Sequence, residues 1–341
     1  MKKIYAGRTA PFWQTMCLCG MLLLLSISLA AQVRPRQIDA VFAGYDKPGA
    51  PGCEVAVLKD GRTLYRRGYG LANLEHNIPI AANSMFMIAS AAKPFTALCI
   101  LLLEKDGRLR LDDPVHKYVP ELPDYGHPIT LRHLLGHTSG LRDILALHVL
   151  SGRDNEDSAS AADLFDLIYR QRELNFRTGA EWMYSNTNYL LLGQIVARVS
   201  GRSLAQFADA RIFKPLGMNH THFYERGQIV PRRVTGYQRV EDGYRIAPED
   251  VFYVTGGAGV WATMEDLTRW DAVFYDPRNG LAPLLAKLQA PVVLDGGGKT
   301  DWGLGSLILE PWGKYRVVTQ AGVYWGSKSE IMRLPDQHFT V

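Results

Sequence analysis

The sequence predicts an α+β fold: an antiparallel sheet flanked by helices and interrupted by a helical insertion lobe. Three observations carry that expectation. Val55 to Tyr69 alternates in polarity and turns at Asp60-Gly61, the pattern of a β-hairpin. From about Arg108 to Glu225 the signals are mostly helical, with proline-rich joints. After Val230 strand-like segments return, at Leu304 to Leu309, Arg316 to Thr319 and Glu330 to Leu334.

Taken in order, the chain opens with Lys2, Lys3 and Arg8, then the mostly apolar stretch Met16 to Ala30 centred on Leu22 to Leu25. Ser28-Leu29-Ala30 supplies small residues for cleavage, so residues 1–30 are expected to be a signal peptide and 31–341 the mature domain. The apolar stretch is short for a spanning helix, which needs about 20 residues, so a membrane is expected as a partner only if the segment stays uncleaved. Cys17 and Cys19 precede its apolar centre, which argues against a lipoprotein anchor. The expected location is the periplasm or the exterior of a bacterial-type cell.

The hairpin is followed by the apolar run Phe95 to Leu103, a helix ending near Gly107, with Pro94 in its first turn where no donor is needed. Ala161 to Gln171 places Leu164, Phe165, Leu167 and Ile168 at helical spacing. Asn188 to Val199 does the same and stops at Gly201; Leu204 to Phe213 is ended by Lys214-Pro215. Glu265 to Tyr275 follows a Thr263 cap with Asp266 three residues on. The layout is one lobe from about 38–107 and 226–341 and a helical lobe from about 108–225, with the site expected between them. There is no internal repeat.

Charge excludes some partners. The chain has 38 basic and 34 acidic residues; the first thirty hold three basic and none acidic, leaving 35 against 34 and a net charge of +1. A nearly neutral domain without a basic arm or stripe points away from nucleic acid and from membrane surfaces. Two cysteines remain, Cys53 in a strand pattern and Cys99 in the apolar helix. An export compartment permits a disulfide, and the spacing leaves their pairing open; buried free thiols fit the apolar pattern around each.

The chemistry is densest at Ser90-Ala91-Ala92-Lys93. Positions i and i+3 share a helix face, so hydroxyl and amine can touch. A neutral lysine beside a serine is a general base beside a nucleophile. The tetrapeptide alone is better read as a helix cap followed by a solvated lysine. A second element changes that balance: Tyr184-Ser185-Asn186 is the one Tyr-x-Asn in the chain. Tyr184 could relay a proton, and Asn186 could hold both the lysine and a substrate amide, while the segment also caps the next helix.

With these motifs in place, the chain resembles the serine β-lactamase and penicillin-binding-protein-like hydrolases, in the branch of class C β-lactamases, DD-carboxypeptidases and family VIII esterases. The resemblance runs from about Ile38 to Val341. It is carried by Pro51 to Gly61, Ile88 to Phe95, Leu134 to Leu141, Tyr184 to Asn186 and Gly256 to Thr263, in the family's order. It implies a β-lactamase/transpeptidase-like fold. It also implies acylation of Ser90 with Lys93 and Tyr184 as the base, an oxyanion held by the Ser90 amide and an amide near Val323, and no metal or organic cofactor. The partner implied is a small-molecule or peptide substrate cleaved at an amide or ester.

The sequence departs from the family twice. The third motif is Lys-Thr-Gly or His-x-Gly, whereas Gln320-Ala321-Gly322 stands here. Glutamine carries no positive charge, so a substrate carboxylate loses its usual partner. Gln320, Gly322 and Val323 are still expected to line the substrate site with Asn186. The resemblance also leads to the expectation of a completed last strand and a C-terminal helix, which the residues after Glu330 do not supply. These departures motivate an alternative, a binding or sensing module that kept the fold and lost turnover.

Other patterns are weaker. His133 and His137 are spaced as in a zinc-binding helix, but Leu134 stands where the glutamate belongs. Gly298-Lys299-Thr300 lacks the glycine of a phosphate loop, with Val293 in its place, and Ser139 is not in a Gly-x-Ser-x-Gly context. Asn219-His220-Thr221 fits a turn.

Overall fold

Asp60 and Gly61 both take positive φ, 52° and 70°, the turn whose twist matches that of paired strands. They join β1 (Cys53–Lys59) to β2 (Arg62–Tyr69), with Lys59 opposite Arg62. The computed structural model describes residues 33–154, 156–248 and 256–341. The signal peptide expected at 1–30 therefore lies outside the described residues. Helix α1 (Pro35–Phe42) belongs to a unit that ends at Phe42, and it has no buried residue. Ala43–Val341 forms the second unit, described from here on.

Its main sheet adds β3 (Ile308–Trp312), β4 (Tyr315–Tyr324), β5 (Ser327–Leu334) and β6 (Phe339–Thr340). The order is β3-β4-β5-β6-β1-β2, with every neighbour antiparallel. Thr340 sits between Arg333 and Leu58, so the two-residue β6 links the two hairpins. Val55 to Leu58 are all buried, because this strand is covered on both faces.

The strand expected at Leu304 to Leu309 is corrected. Leu304–Ser306 forms a tight turn with Gly305 and Ser306 at positive φ, and β3 begins only at Ile308. Gly305 there has φ +77°, and a Cβ on it would fall 2.8 Å from Pro94 Cα. The backbone has to bend to pass the nucleophile helix so closely.

That helix is α2 (Lys93–Lys105), in which Lys93 through Leu103 are all buried. A helix apolar on every side belongs in the core. Phe95 meets Phe213 and Trp270, with ring centroids 5.2 and 4.8 Å away. Around it stand α3 (Leu131–Leu135), α4 (Ile144–Leu150), α5 (Ala161–Tyr169), α6 (Asn186–Ser200) and α7 (Leu204–Ala208). A wider helical turn, Asp209–Phe213, extends α7. Against the sheet lies α8 (Met264–Val273), while α9 (Ala282–Leu288) packs on α2. Thr130, Asp143, Ser160, Ser203 and Thr263 cap α3, α4, α5, α7 and α8 through their side chains, and α6 stops at left-handed Gly201. Both cysteines are free thiols; Cys99 is buried and Cys53 only half-buried. Among the described residues no helix is long and apolar enough to cross a membrane.

A small three-stranded sheet feeds the chain toward Ser90. Phe86–Met87 pairs with Val260–Ala262, which also pairs with His222–Phe223. Ile88 N–H then donates to the Val260 carbonyl at 3.0 Å, and the backbone turns into the short helix Ala89–Ala92 just ahead of α2.

Candidate active site

Ser90 sits in that Ala89–Ala92 turn, and Lys93 opens α2 one turn later. Ala89 enters the turn at φ +50°, a conformation side-chain-bearing residues seldom adopt and which clusters at functional sites. Lys93 Nζ lies 3.0 Å from Ser90 Oγ, and Tyr184 Oη lies 2.8 Å from the same oxygen. Nζ also contacts Asn186 Oδ1 at 3.0 Å and the Gly257 carbonyl at 2.7 Å. Tyr184 Oη donates to Asn186 Oδ1 at 3.3 Å.

The three partners of Nζ are not equivalent. Asn186 Oδ1 and the Gly257 carbonyl can only accept; Ser90 alone has a proton to give. A neutral amine satisfies all three by donating two protons and turning its lone pair to Ser90. Lys93 is 0% exposed. Burial lowers its pKa to about 7, against an opposing pull from the Asp143 carboxylate. Burial pushes Tyr184 up to about 12, with the Ser90 hydrogen bond acting the other way. The phenol therefore stays protonated through neutral pH. Nζ also lies 4.8 Å from the Tyr184 ring centre and 5.5 Å from that of Tyr189.

Behind Tyr184 is His137, stacked on its ring at 4.8 Å. Burial, with Lys93 beside it, holds this imidazole well below its usual range, so it is neutral. Its Nδ1 accepts from the Ser185 N–H and from Asn188 Nδ2, both at 3.1 Å. The remaining proton must be on Nε2, which donates to Ser306 Oγ at 2.7 Å. His133 instead completes the cap of α3 through Thr130. Among the described residues no group of three or more His, Cys, Asp or Glu side chains is placed to hold a metal ion.

Ser90, Tyr184, Asn186 and Ser306 open on a cleft of about 320 Å³ that Trp302, Ile308, Val323 and Trp325 also line. Trp302 is stacked on Trp182, centroids 4.2 Å apart. No charged side chain lines this cleft among the described residues.

The four residues expected to contact substrate separate into distinct places. Asn186 lines the cleft and holds Lys93. Val323 lines it too and is 69% exposed. Tyr324 pairs with Ser327 across the two-residue turn Trp325-Gly326, so it is a hydrogen-bonded pair, and pairing alternates back along β4. Ala321 and Val323 thus turn their N–H and C=O groups to the edge away from β5. Beyond Thr319, the partner of Ile308, β3 no longer covers that edge. Gly322 lines the cleft and is also a contact of backbone with backbone: a Cβ there would fall 2.2 Å from the Ile88 carbonyl oxygen and 2.9 Å from Ala91 N. Gln320 departs from the expectation. It is 1% exposed, points to the inner face with Val318 and Gly322, and donates to the Ala91 carbonyl behind the nucleophile turn. It does not line the cleft, because strand alternation turns it the opposite way from Ala321 and Val323.

Residue patterns alone did not single out Asp143, Ser306 or Gly257. Asp143 carried only a cap signal ahead of the apolar run Ile144 to Leu150. Gly257 lay in the Gly256 to Thr263 stretch that carries the resemblance, but nothing marked its carbonyl as a partner of Lys93; Ser306 carried no signal, since a small hydroxyl acquires its place from tertiary contact.

Comparison with known proteins places this geometry in context. A family model described as Beta-lactamase matches residues 38–341. Penicillin-binding protein 4* of Bacillus subtilis (strain 168) is 33% identical over 302 residues, 84% of this chain and 66% of that protein. The chain thus spans just under two thirds of that relative's length. Esterase EstB of Burkholderia gladioli is 34% identical over 320 residues, covering 83% of this chain and 81% of the esterase. Among solved structures, the octameric penicillin-binding protein homologue from Pyrococcus abyssi superposes with a TM-score of 0.77 at 25% identity, covering 90% of this chain and 72% of the other.

Proposed function

This chain belongs to the beta-lactamase family, and from that premise we propose that it is a serine hydrolase cleaving an amide or ester through an acyl-enzyme on Ser90. The observation that carries the reading is Lys93 Nζ lying 3.0 Å from the Ser90 hydroxyl, the one proton-bearing group among its three hydrogen-bond partners.

In the proposed reaction Ser90 Oγ attacks the substrate carbonyl carbon while its proton passes to Lys93 Nζ. A positioned base of this kind contributes about 10²–10⁴ in rate. The carbonyl oxygen, now negative, is taken by the Ser90 and Val323 N–H groups, a pair worth roughly 10²–10³. Collapse breaks the bond to the leaving alcohol or amine, which receives the proton from Lys93 by way of the Tyr184 hydroxyl. Water then attacks the acyl carbon, gives a proton back along the same path, and Ser90 is released with the acid as product.

The uncharged cleft favours a neutral ester or amide. A carboxylate-bearing substrate would need a cation, and the third-motif position holds a glutamine turned inward. The basic and apolar segment at 1–30 supports export to the periplasm or beyond.

A fluorophosphonate serine probe tests the reading. We expect labelling of the wild type that is lost in Ser90→Ala, together with turnover of a short-chain nitrophenyl ester ahead of a chromogenic cephalosporin. A folded wild type that takes no label would overturn the enzyme reading and leave the binding or sensing module standing.

A further inference from the structure

One carboxylate beneath the site touches four donors and no acceptor. Asp143 Oδ1 accepts from Leu145 N–H at 2.9 Å and Ala146 N–H at 3.4 Å, capping α4. Its Oδ2 accepts from the Asn186 N–H at 2.5 Å and from Asn186 Nδ2 at 3.0 Å. Helix α6 begins at Asn186 with no cap from its own preceding residue, Ser185. The same carboxylate therefore closes the N-termini of two helices, α4 directly and α6 across a gap of more than forty residues.

That arrangement has a consequence for the side chain of Asn186. An amide has one accepting end and one donating end, and either could face Lys93. With Asp143 taking the Nδ2 end, Oδ1 is obliged to face Nζ and Tyr184 Oη. Only an ionised carboxylate suits four donors; an asparagine at position 143 would turn its own NH₂ against one pair of them.

Resting on the acyl-enzyme reading above, we infer that Asp143 is a positioning residue that clamps Asn186 so that its carbonyl end orients the Lys93 amine toward Ser90. Helix capping alone would make Asp143 a matter of stability. The clamp makes it a matter of reactivity as well, because a reversed Asn186 would present a donor to Nζ and pull its lone pair off the serine.

The charge acts on the same amine. Around Nζ stand Ser90 in the turn ahead of α2, Tyr184 ahead of α6, Asn186 and Tyr189 on α6, neutral His137 after α3, and the Gly257 carbonyl. Asp143 is the charged neighbour among the described residues that raises the pKa of Lys93 against burial. Removing it lets that pKa fall, so more of the lysine is neutral at a given acid pH.

The test is the second-order rate of fluorophosphonate labelling as a function of pH for the wild type, Asp143→Ser and Asp143→Asn. Serine retains a cap for α4 but cannot span to Asn186; asparagine keeps the shape and loses the charge. In both variants we expect labelling at pH 8 to drop about 10–100-fold, the scale of a misplaced catalytic group, and the acid limb of the profile to move to lower pH. Circular dichroism and thermal melting report folding separately, and Asp143→Ser is expected to keep the wild-type fold. Folded variants that label within twofold of wild type, with the acid limb unmoved, would overturn the clamp and leave a structural cap. Failure of the underlying reading is distinct, since it shows as a wild type that takes no label.

Discussion

Lys93 is held by two groups that can only accept and one that can give, and that asymmetry sets its expected pH behaviour. With its pKa brought down to about 7, the amine is protonated and unable to accept below that pH, and is free above it. Ser90 labelling should therefore rise about tenfold per unit below pH 7 and level off above it. Tyr184, pushed up to about 12, should add no alkaline limb before pH 10. A labelling rate that stays flat from pH 5 to pH 9 would remove Lys93 as the base. The closeness of Ser90 and Lys93 was legible from spacing, because one helical turn fixes their separation, but it took Tyr184-Ser185-Asn186 to mark the pair as catalytic. Tyr184 lies 94 residues from Ser90, and only its motif marked it. Gln320 shows the converse: its motif position marked it for the cleft, and strand alternation placed it on the inner face.

The elements around the site meet backbone to backbone. Strand β4 presses Gly322 against the turn that holds Ser90, and the bend at Gly305 passes the start of α2. Ala89, His137 and Ser306, all with positive φ, mark where the chain is bent to let these approaches happen. A methyl group on Gly322 has nowhere to go, since the atoms it would meet at 2.2 and 2.9 Å belong to the backbone of Ile88 and Ala91. Gly322→Ala should cost about 1–3 kcal/mol by overpacking and should slow labelling more than tenfold by shifting β4 off the nucleophile turn. Gly296→Ala, where a Cβ meets nothing within 4 Å, is the control and should change neither urea unfolding nor labelling. Equal behaviour of the two variants would show that the close approach is unimportant. The sequence marked the glycine but not its reason, because close approach belongs to two elements at once. The strand expected over Leu304 to Leu309 was misjudged for the same cause: its apolar pattern serves a bend against α2 as well as it serves a strand.

At the scale of the whole molecule, the last part of the sheet is tied to α8 by a buried ion pair. Arg333 Nε donates to Asp271 Oδ1 at 2.7 Å, with side chains 1% and 2% exposed. Thr340 Oγ1 donates to the same oxygen at 3.0 Å, and the guanidinium lies over the Phe274 ring at 4.1 Å. Among the described residues both Nη atoms of Arg333 lack a hydrogen-bond partner, and the one carboxylate that meets its charge is Asp271. Asp271→Ala should destabilise the fold by about 3–5 kcal/mol, and the apolar pair Asp271→Leu with Arg333→Met should recover much of that loss. Urea unfolding decides between this and a surface-like pair, for which the single variant would cost under about 1 kcal/mol.

The sequence by itself determined the class of fold, the first hairpin, the apolar helix α2, the insertion helices α5, α6 and α7, and the local pairing of Ser90 with Lys93. All of these follow from periodicity, turn residues and caps within a few positions of one another. Tertiary structure alone decided that Asp143 reaches Asn186, that the Gly257 carbonyl takes a proton of Lys93, that His137 donates to Ser306, and that Gln320 lies behind the nucleophile rather than before it. The physical reason is common to these cases: a hydrogen bond between residues far apart in the chain depends on how elements pack, and packing leaves no period in the sequence.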